Sequence, residues 1–304
     1  MEEKPNFGKA IGMAALVGGC LGLLGHILVV LFSFTPLYLQ GQSIFLVLGT
    51  LGIIGAILFV TGTYPKLEAI GGMGAVLPFC GLSAAVAGAT FGVGKATGSG
   101  KKGAMVAIIE LLVKVVLVGT ALCCVIAVVV FFSGFGAIFT APYAPGGIVV
   151  TQVGPPNGSA DGPPMGIPVS VDFLAFVWSF ITVAVLSAIT QAILMLTKVP
   201  MSVYLVILFV LSGICTPFGL IKGLVSVTGG GFMVLIAGAG EAIVSTFYAF
   251  LQGNFLPFLL VLCLFVFLFA IGIGAGLIKL SMTKGQGGPA QGPEGGPAEA
   301  PAQE

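Results

Sequence analysis

The chain contains no arginine, and only 7% of its 304 residues are charged, where a soluble domain carries roughly a quarter. Without arginine there is no bidentate clamp for phosphate or carboxylate and no nucleic-acid surface; an anion would have to be held by backbone amides, hydroxyls or lysine. Histidine occurs once, as His26. The six cysteines, Cys20, Cys80, Cys123, Cys124, Cys215 and Cys263, lie in apolar runs without Cys-x-x-Cys spacing, so they read as buried thiols and not as a disulfide or metal framework. There is no phosphate-binding loop, no His/Cys metal cluster and no nucleophile with a nearby base in the sequence. These absences give an enzyme no support and imply no cofactor and no metal.

What is present is apolar. Hydrophobic residues make up 58% of the chain, and mean hydropathy is +1.19, which indicates an integral membrane protein. The 48 glycines are about twice the usual share, and inside apolar segments they favour close helix approach or bends. The runs are Ile11–Phe34, Ile44–Thr61, Gly72–Val93, Ala104–Phe139, Phe173–Leu196, Val203–Ile221, Gly231–Phe250 and Phe255–Leu280. Most approach the ~20 residues a helix needs to cross the bilayer core. The first run is too long for the core of a cleavable signal peptide and is expected to stay in the membrane.

Two of the runs are interrupted in the same manner. Gly71-Gly72-Met73-Gly74 leads to Pro78 and Gly81, and Gly229-Gly230-Gly231 leads to Gly238, Gly240 and Glu241. Irregular backbone at membrane depth is tolerated where it is buried in protein or lines a path. Gly72, Gly74, Pro78, Gly81, Gly230, Gly231, Gly240 and Glu241 are therefore the candidate constriction residues.

The sequence divides in two. Residues 141–170 hold seven prolines, six glycines and one charge, Asp161, and read as a linker. Residues 1–140 form a first membrane repeat, 171–284 a second and degenerate one, and 285–304 a Gly/Pro/Ala/Gln-rich tail expected to be disordered. His26 corresponds to Gln191, each followed nine or ten residues later by a proline, Pro36 or Pro200. The glycines Gly71, Gly72 and Gly81 align with Gly230, Gly231 and Gly240 at an offset of 159.

Lysines orient the runs. If all eight span, Lys4, Lys9, Lys66, Lys222, Lys279 and Lys284 lie inside, against Lys95, Lys101, Lys102 and Lys198 outside. If the two glycine-rich runs instead enter and leave on one side, only Lys222 lies outside and nine lysines lie inside, as the positive-inside rule favours. Each half then has three transmembrane helices plus one re-entrant segment. An odd number of crossings makes the halves inverted repeats; eight spanning helices are the alternative.

Few polar residues remain to carry chemistry. Glu241 is deep in an apolar run, where a carboxylate faces a bundle interior, a water path or a cation, or is locally hydrogen-bonded. Glu110 and Lys114 are spaced for a helical ion pair near the Lys101–Lys102 end. His26 and Gln191 read as polar packing groups, since only one of the pair titrates. Asp172 stands at a helix-capping position. Asn157-Gly158-Ser159 has glycosylation spacing within the linker.

The strings Leu16-Val17-Gly18-Gly19, Leu23-Leu24-Gly25-His26, Thr35-Pro36 and Tyr64-x-x-Leu67-x4-Gly72-x-Gly74-Ala75-x-x-Pro78-x-x-Gly81 resemble the SpoVAC/SpoVAEb family of sporulation membrane proteins. The resemblance covers nearly the whole first half. The second half keeps the family's glutamine at Gln191 but carries Gly223 and Ala237 at the aligned tyrosine and proline positions, so the chain is similar to two fused copies. The resemblance implies a subunit of a spore inner-membrane channel or transporter that moves dipicolinic acid, with calcium as companion. It implies as partners other SpoVA-type membrane subunits and a soluble ligand-binding subunit. An assembly subunit of that complex, or a permease for another small solute, are the competing expectations.

Overall fold

A computed structural model describes residues 7–34, 43–95, 109, 111–134, 173–197, 199–228 and 230–284. The linker, the tail, Asp172, Lys101, Lys102 and Glu110 fall outside the described residues, and the side chain of Lys114 is likewise not described.

The described chain is helical. The first half contributes α1 (Phe7–Ser33), α2 (Ser43–Val60), α3 (Thr63–Gly71), α4 (Met73–Val76), α5 (Phe79–Lys95) and, after a π-helical stretch at Leu111–Val118, α6 (Gly119–Ser133). The second contributes α7 (Phe173–Leu196), α8 (Met201–Cys215), α9 (Leu220–Thr228), α10 (Gly230–Met233), α11 (Ile236–Leu251) and α12 (Leu256–Lys284). Four helices, Phe7–Phe32, Val115–Ser133, Phe173–Leu196 and Leu256–Thr283, are long and apolar enough to cross a membrane. A fifth span is possible if the pair α2 and α3, bent by 103°, counts as one. Both glycine-rich runs are broken: the first into α4 and α5, the second into α10 and α11.

Glycine sets the breaks. Gly62 (φ 77°) ends α2, and Gly219 (φ 72°) precedes α9, both in the left-handed conformation that side chains with a Cβ disfavour. Gly72 (φ 47°, ψ −126°) separates α3 from α4, and a Cβ there would also lie 2.4 Å from the Gln191 Oε1. Pro65 falls in the first turn of α3, where its missing N–H is no loss.

The helices form two bundles around a central pair. Helices α1 and α7 run antiparallel: Gly18 faces Ser187, Gly22 faces Val183, and His26 meets Phe176. Small residues on α1 permit this approach, and a Cβ on Gly18, Gly19 or Gly22 would stand within 2.0–2.7 Å of α7 side chains. Helices α2, α5 and α12 lie side by side in one direction. Gly49 faces Phe267, Gly272 faces Ser83 and Val86, and Lys279 reaches Phe59. In the other bundle, α6, α8 and α11 are also parallel, through Gly119 and Phe209, Cys123 and Gly213, and Phe131 and Tyr248. Each bundle thus takes its third helix from the opposite half: α12 joins the first, α6 the second. The sequence repeats interlock and are not separate domains.

Candidate functional site

The two broken segments meet. Pro78 and Leu235 form an antiparallel bridge. The Phe79 N–H donates to the Val234 carbonyl (3.0 Å), and the Ile236 N–H donates to the Leu77 carbonyl (2.8 Å). An offset of 157 exchanges these two bonds, and the same offset relates Gly81 N–H to Pro78 O (2.7 Å) with Gly238 N–H to Leu235 O (2.8 Å). An isolated antiparallel pair has a local twofold relation between its strands, so each half supplies what the other lacks. Pro78 sits at the bridge position where no N–H is required, so the ladder loses nothing to proline.

The same reciprocity governs the short helices. The Gln191 Oε1 accepts from the Met73 N–H (2.8 Å), and the His26 Nδ1 accepts from the Gly230 N–H (3.1 Å). Met73 and Gly230 are again 157 apart, so the central helix of each half caps the short helix of the other. An imidazole nitrogen that accepts from an N–H carries no proton, so His26 uses Nδ1 as the carbonyl of Gln191 is used. Its ring is fully buried and packs edge-on to Phe176 at 4.6 Å. His26 and Gln191 thus occupy matching places on the two central helices, each accepting from a backbone N–H of the other half.

The bridge register corrects the sequence alignment. Halves are related by 157 and not 159, pairing Gly62 with Gly219, Gly72 with Gly229, Gly74 with Gly231 and Gly81 with Gly238. Glycine-rich strings align with themselves under small slips; the positive-φ turns and the bridge do not. Ile221 and Leu235, instead of Gly223 and Ala237, therefore stand opposite Tyr64 and Pro78.

That pairing gives the tyrosine a physical role. In the second half the Leu235 N–H donates to the Phe232 carbonyl (3.1 Å). The equivalent carbonyl, Ala75, faces Pro78, which has no N–H. The buried hydroxyl of Tyr64 donates to Ala75 instead. Proline creates an orphan acceptor and tyrosine satisfies it, which is why both occur in one half and neither in the other. In hydrocarbon an unpaired backbone carbonyl costs several kcal/mol (about 2–7 across reference states).

The constriction candidates separate into two groups. Gly72, Gly74, Pro78, Gly81, Gly230 and Gly231 are gathered at the crossing. A Cβ on Gly74 would lie 2.1 Å from the Ala14 carbonyl, and one on Gly231 would lie 1.7 Å from the Ser179 Oγ. Gly240 and Glu241 are not part of it. They lie in the second turn of α11, where Gly240 packs on the Phe209 carbonyl and Gly213, and Glu241 is half-buried. Gly240 is matched by Ser83, whose hydroxyl donates to Gly52 (2.7 Å), so both serve contacts within a bundle.

The crossing is apolar in its side chains and polar in its backbone. Met73, Leu77, Val234 and Leu235 are fully buried. Ser187, on the α1 to α7 seam, is buried with no hydrogen-bond partner for its hydroxyl. Among the described residues no group of three His, Cys, Asp or Glu could hold a metal. Sequence reasoning missed Tyr64 as a donor and the cross-half caps as contacts. The coincidence of Tyr and Pro in one half and their joint loss in the other was the available signal.

Comparison with known proteins returns no match to a family model, a curated protein or a solved structure.

Proposed function

We propose that this protein is a subunit of a membrane channel or transporter for a small anionic solute, built from two inverted halves whose re-entrant segments meet at mid-membrane. The reciprocal bonding of 77–79 with 234–236 is the observation that carries the reading. Broken segments meeting between inverted halves are a recurrent architecture of transport proteins. The path of the first segment supports re-entry. Ser83, in the first turns of α5, bonds Gly52 in mid-α2, while Phe91 near the end of α5 lies 6.3 Å from Phe59 at the end of α2. The chain leaves α2, runs back through α3 and α4 to mid-depth, and returns along α5 to the same end.

The solute assignment rests on the sequence resemblance of Tyr64–Gly81: dipicolinic acid, with calcium, moved across the spore inner membrane together with other SpoVA-type subunits and a soluble ligand-binding subunit. The test is flux. Liposomes holding the full chain with those partners should release dipicolinate, and cells lacking the protein should form dipicolinate-poor spores; normal spores together with absent flux would reject it.

A second reading, an assembly subunit, is favoured by the tight apolar closure of the crossing. The two differ under Leu77→Ala, which opens space in the closed crossing and should raise flux with assembly intact in a conducting subunit. A scaffold would show failed assembly or no change.

A further inference from the structure

At one end of the first bundle, two ammonium groups share one ring. The Lys95 Nζ lies 4.8 Å from the Phe91 centroid and the Lys279 Nζ 5.4 Å from the same centroid. Lys279 is held in place: it donates to the Phe59 carbonyl (2.9 Å) and stands 4.2 Å from the Phe59 ring. The two cations repel each other, and among the described residues neither has a carboxylate partner. Two like charges gathered at one ring are stabilised most directly by an anion that reaches both.

The surroundings say which anion. Ile57, Leu277, Ile278 and Met282, in the adjoining turns, are 53–58% exposed. A soluble anion gains nothing from bare apolar side chains beside its site, whereas a phospholipid offers a phosphate to the lysines and acyl chains to those residues. Among the described residues the other bundle has no such lysine pair at the matching end. There Phe131 packs against Tyr248 at 5.5 Å, in the places occupied by Lys279 and Phe91 in the first.

We propose that Lys95 and Lys279, flanking the Phe91 ring, bind the phosphate of an anionic phospholipid in one leaflet. The proposal goes beyond the transport reading and does not depend on the solute. Native mass spectrometry of the full-length protein, taken from micelles with equimolar phosphatidylglycerol and phosphatidylcholine, tests it. The wild type should retain phosphatidylglycerol with a preference on the order of tenfold. Lys95→Gln, at an exposed position, should reduce the preference several-fold, and Lys95→Gln with Lys279→Gln should abolish it. Lys66→Gln, an exposed lysine on α3, should leave it unchanged. Equal retention of the two lipids, or a preference that survives in the double variant, overturns the site. Displacement of the lipid by millimolar inorganic phosphate or dipicolinate would assign the lysines to a soluble anion and overturn the lipid as occupant.

Discussion

The segments 73–81 and 230–238 trace the same path through matching bonds, yet they close it with different chemistry. The first uses Gly72 at φ 47°, Pro78 in the bridge, the Tyr64 hydroxyl on Ala75, and Gln191 as cap. The second uses Leu235 in the bridge, its own N–H on Phe232, Ile221 in place of tyrosine, and His26 as cap. Backbone geometry is therefore the shared requirement. Side chains are interchangeable so long as every buried N–H and C=O finds a partner.

The comparison is broken most severely where backbone meets backbone. Gly74→Val or Gly240→Val puts a side chain within about 2.1 Å of the Ala14 or Phe209 carbonyl. Either should cost 3 kcal/mol or more, on the order of the upper range for overpacking, and abolish a cooperative thermal transition in detergent. Gly274→Ala, facing open space, should leave the midpoint unchanged.

The Tyr64 and Pro78 pair comes next. Tyr64→Phe should destabilise by about 1–3 kcal/mol by orphaning the Ala75 carbonyl. In a Pro78→Ala background, where residue 78 regains its N–H, the same change should cost about 1 kcal/mol less, as a double-mutant cycle measures. A cycle with no coupling would show that the tyrosine does not stand in for the missing donor.

The caps should give a smaller effect. Gln191→Leu and His26→Leu each remove the acceptor for one buried N–H, at about 1–2 kcal/mol. His26→Gln should recover most of the loss in thermal midpoint, because it installs in the second half the acceptor that the first half uses.

Much of this was legible beforehand. Composition alone requires a membrane-embedded helical protein, and Gly72 and Gly230 mark the breaks because helices at that depth tolerate interruption only for a reason. The match of His26 with Gln191 was visible because each is an isolated polar residue at the same distance from a following proline. The register was not, since glycine strings tolerate a slip of two, and the bridge of Pro78 with Leu235 and the turns at Gly62 and Gly219 fix it. Nor was the separation of Glu241 from the crossing visible. Adjacency in sequence to Gly230 says nothing of which neighbour α11 presents to the bridge, and Gly240 turns out to face α8. The exchange of α6 and α12 between bundles leaves no trace in local periodicity, because both partners of each contact are uniformly apolar.

In the proposed topology the chain between α2 and α5 enters and leaves on one side of the membrane, and the second half does the same on the other. Single cysteines at 66, 95, 134 and 254 in a cysteine-free background, labelled in oriented vesicles with a membrane-impermeant reagent, test it most directly. Positions 66 and 95 should label from one side, and 134 and 254 from the other. Labelling of 66 and 95 from opposite sides would make 72–93 a full span and rule out re-entry.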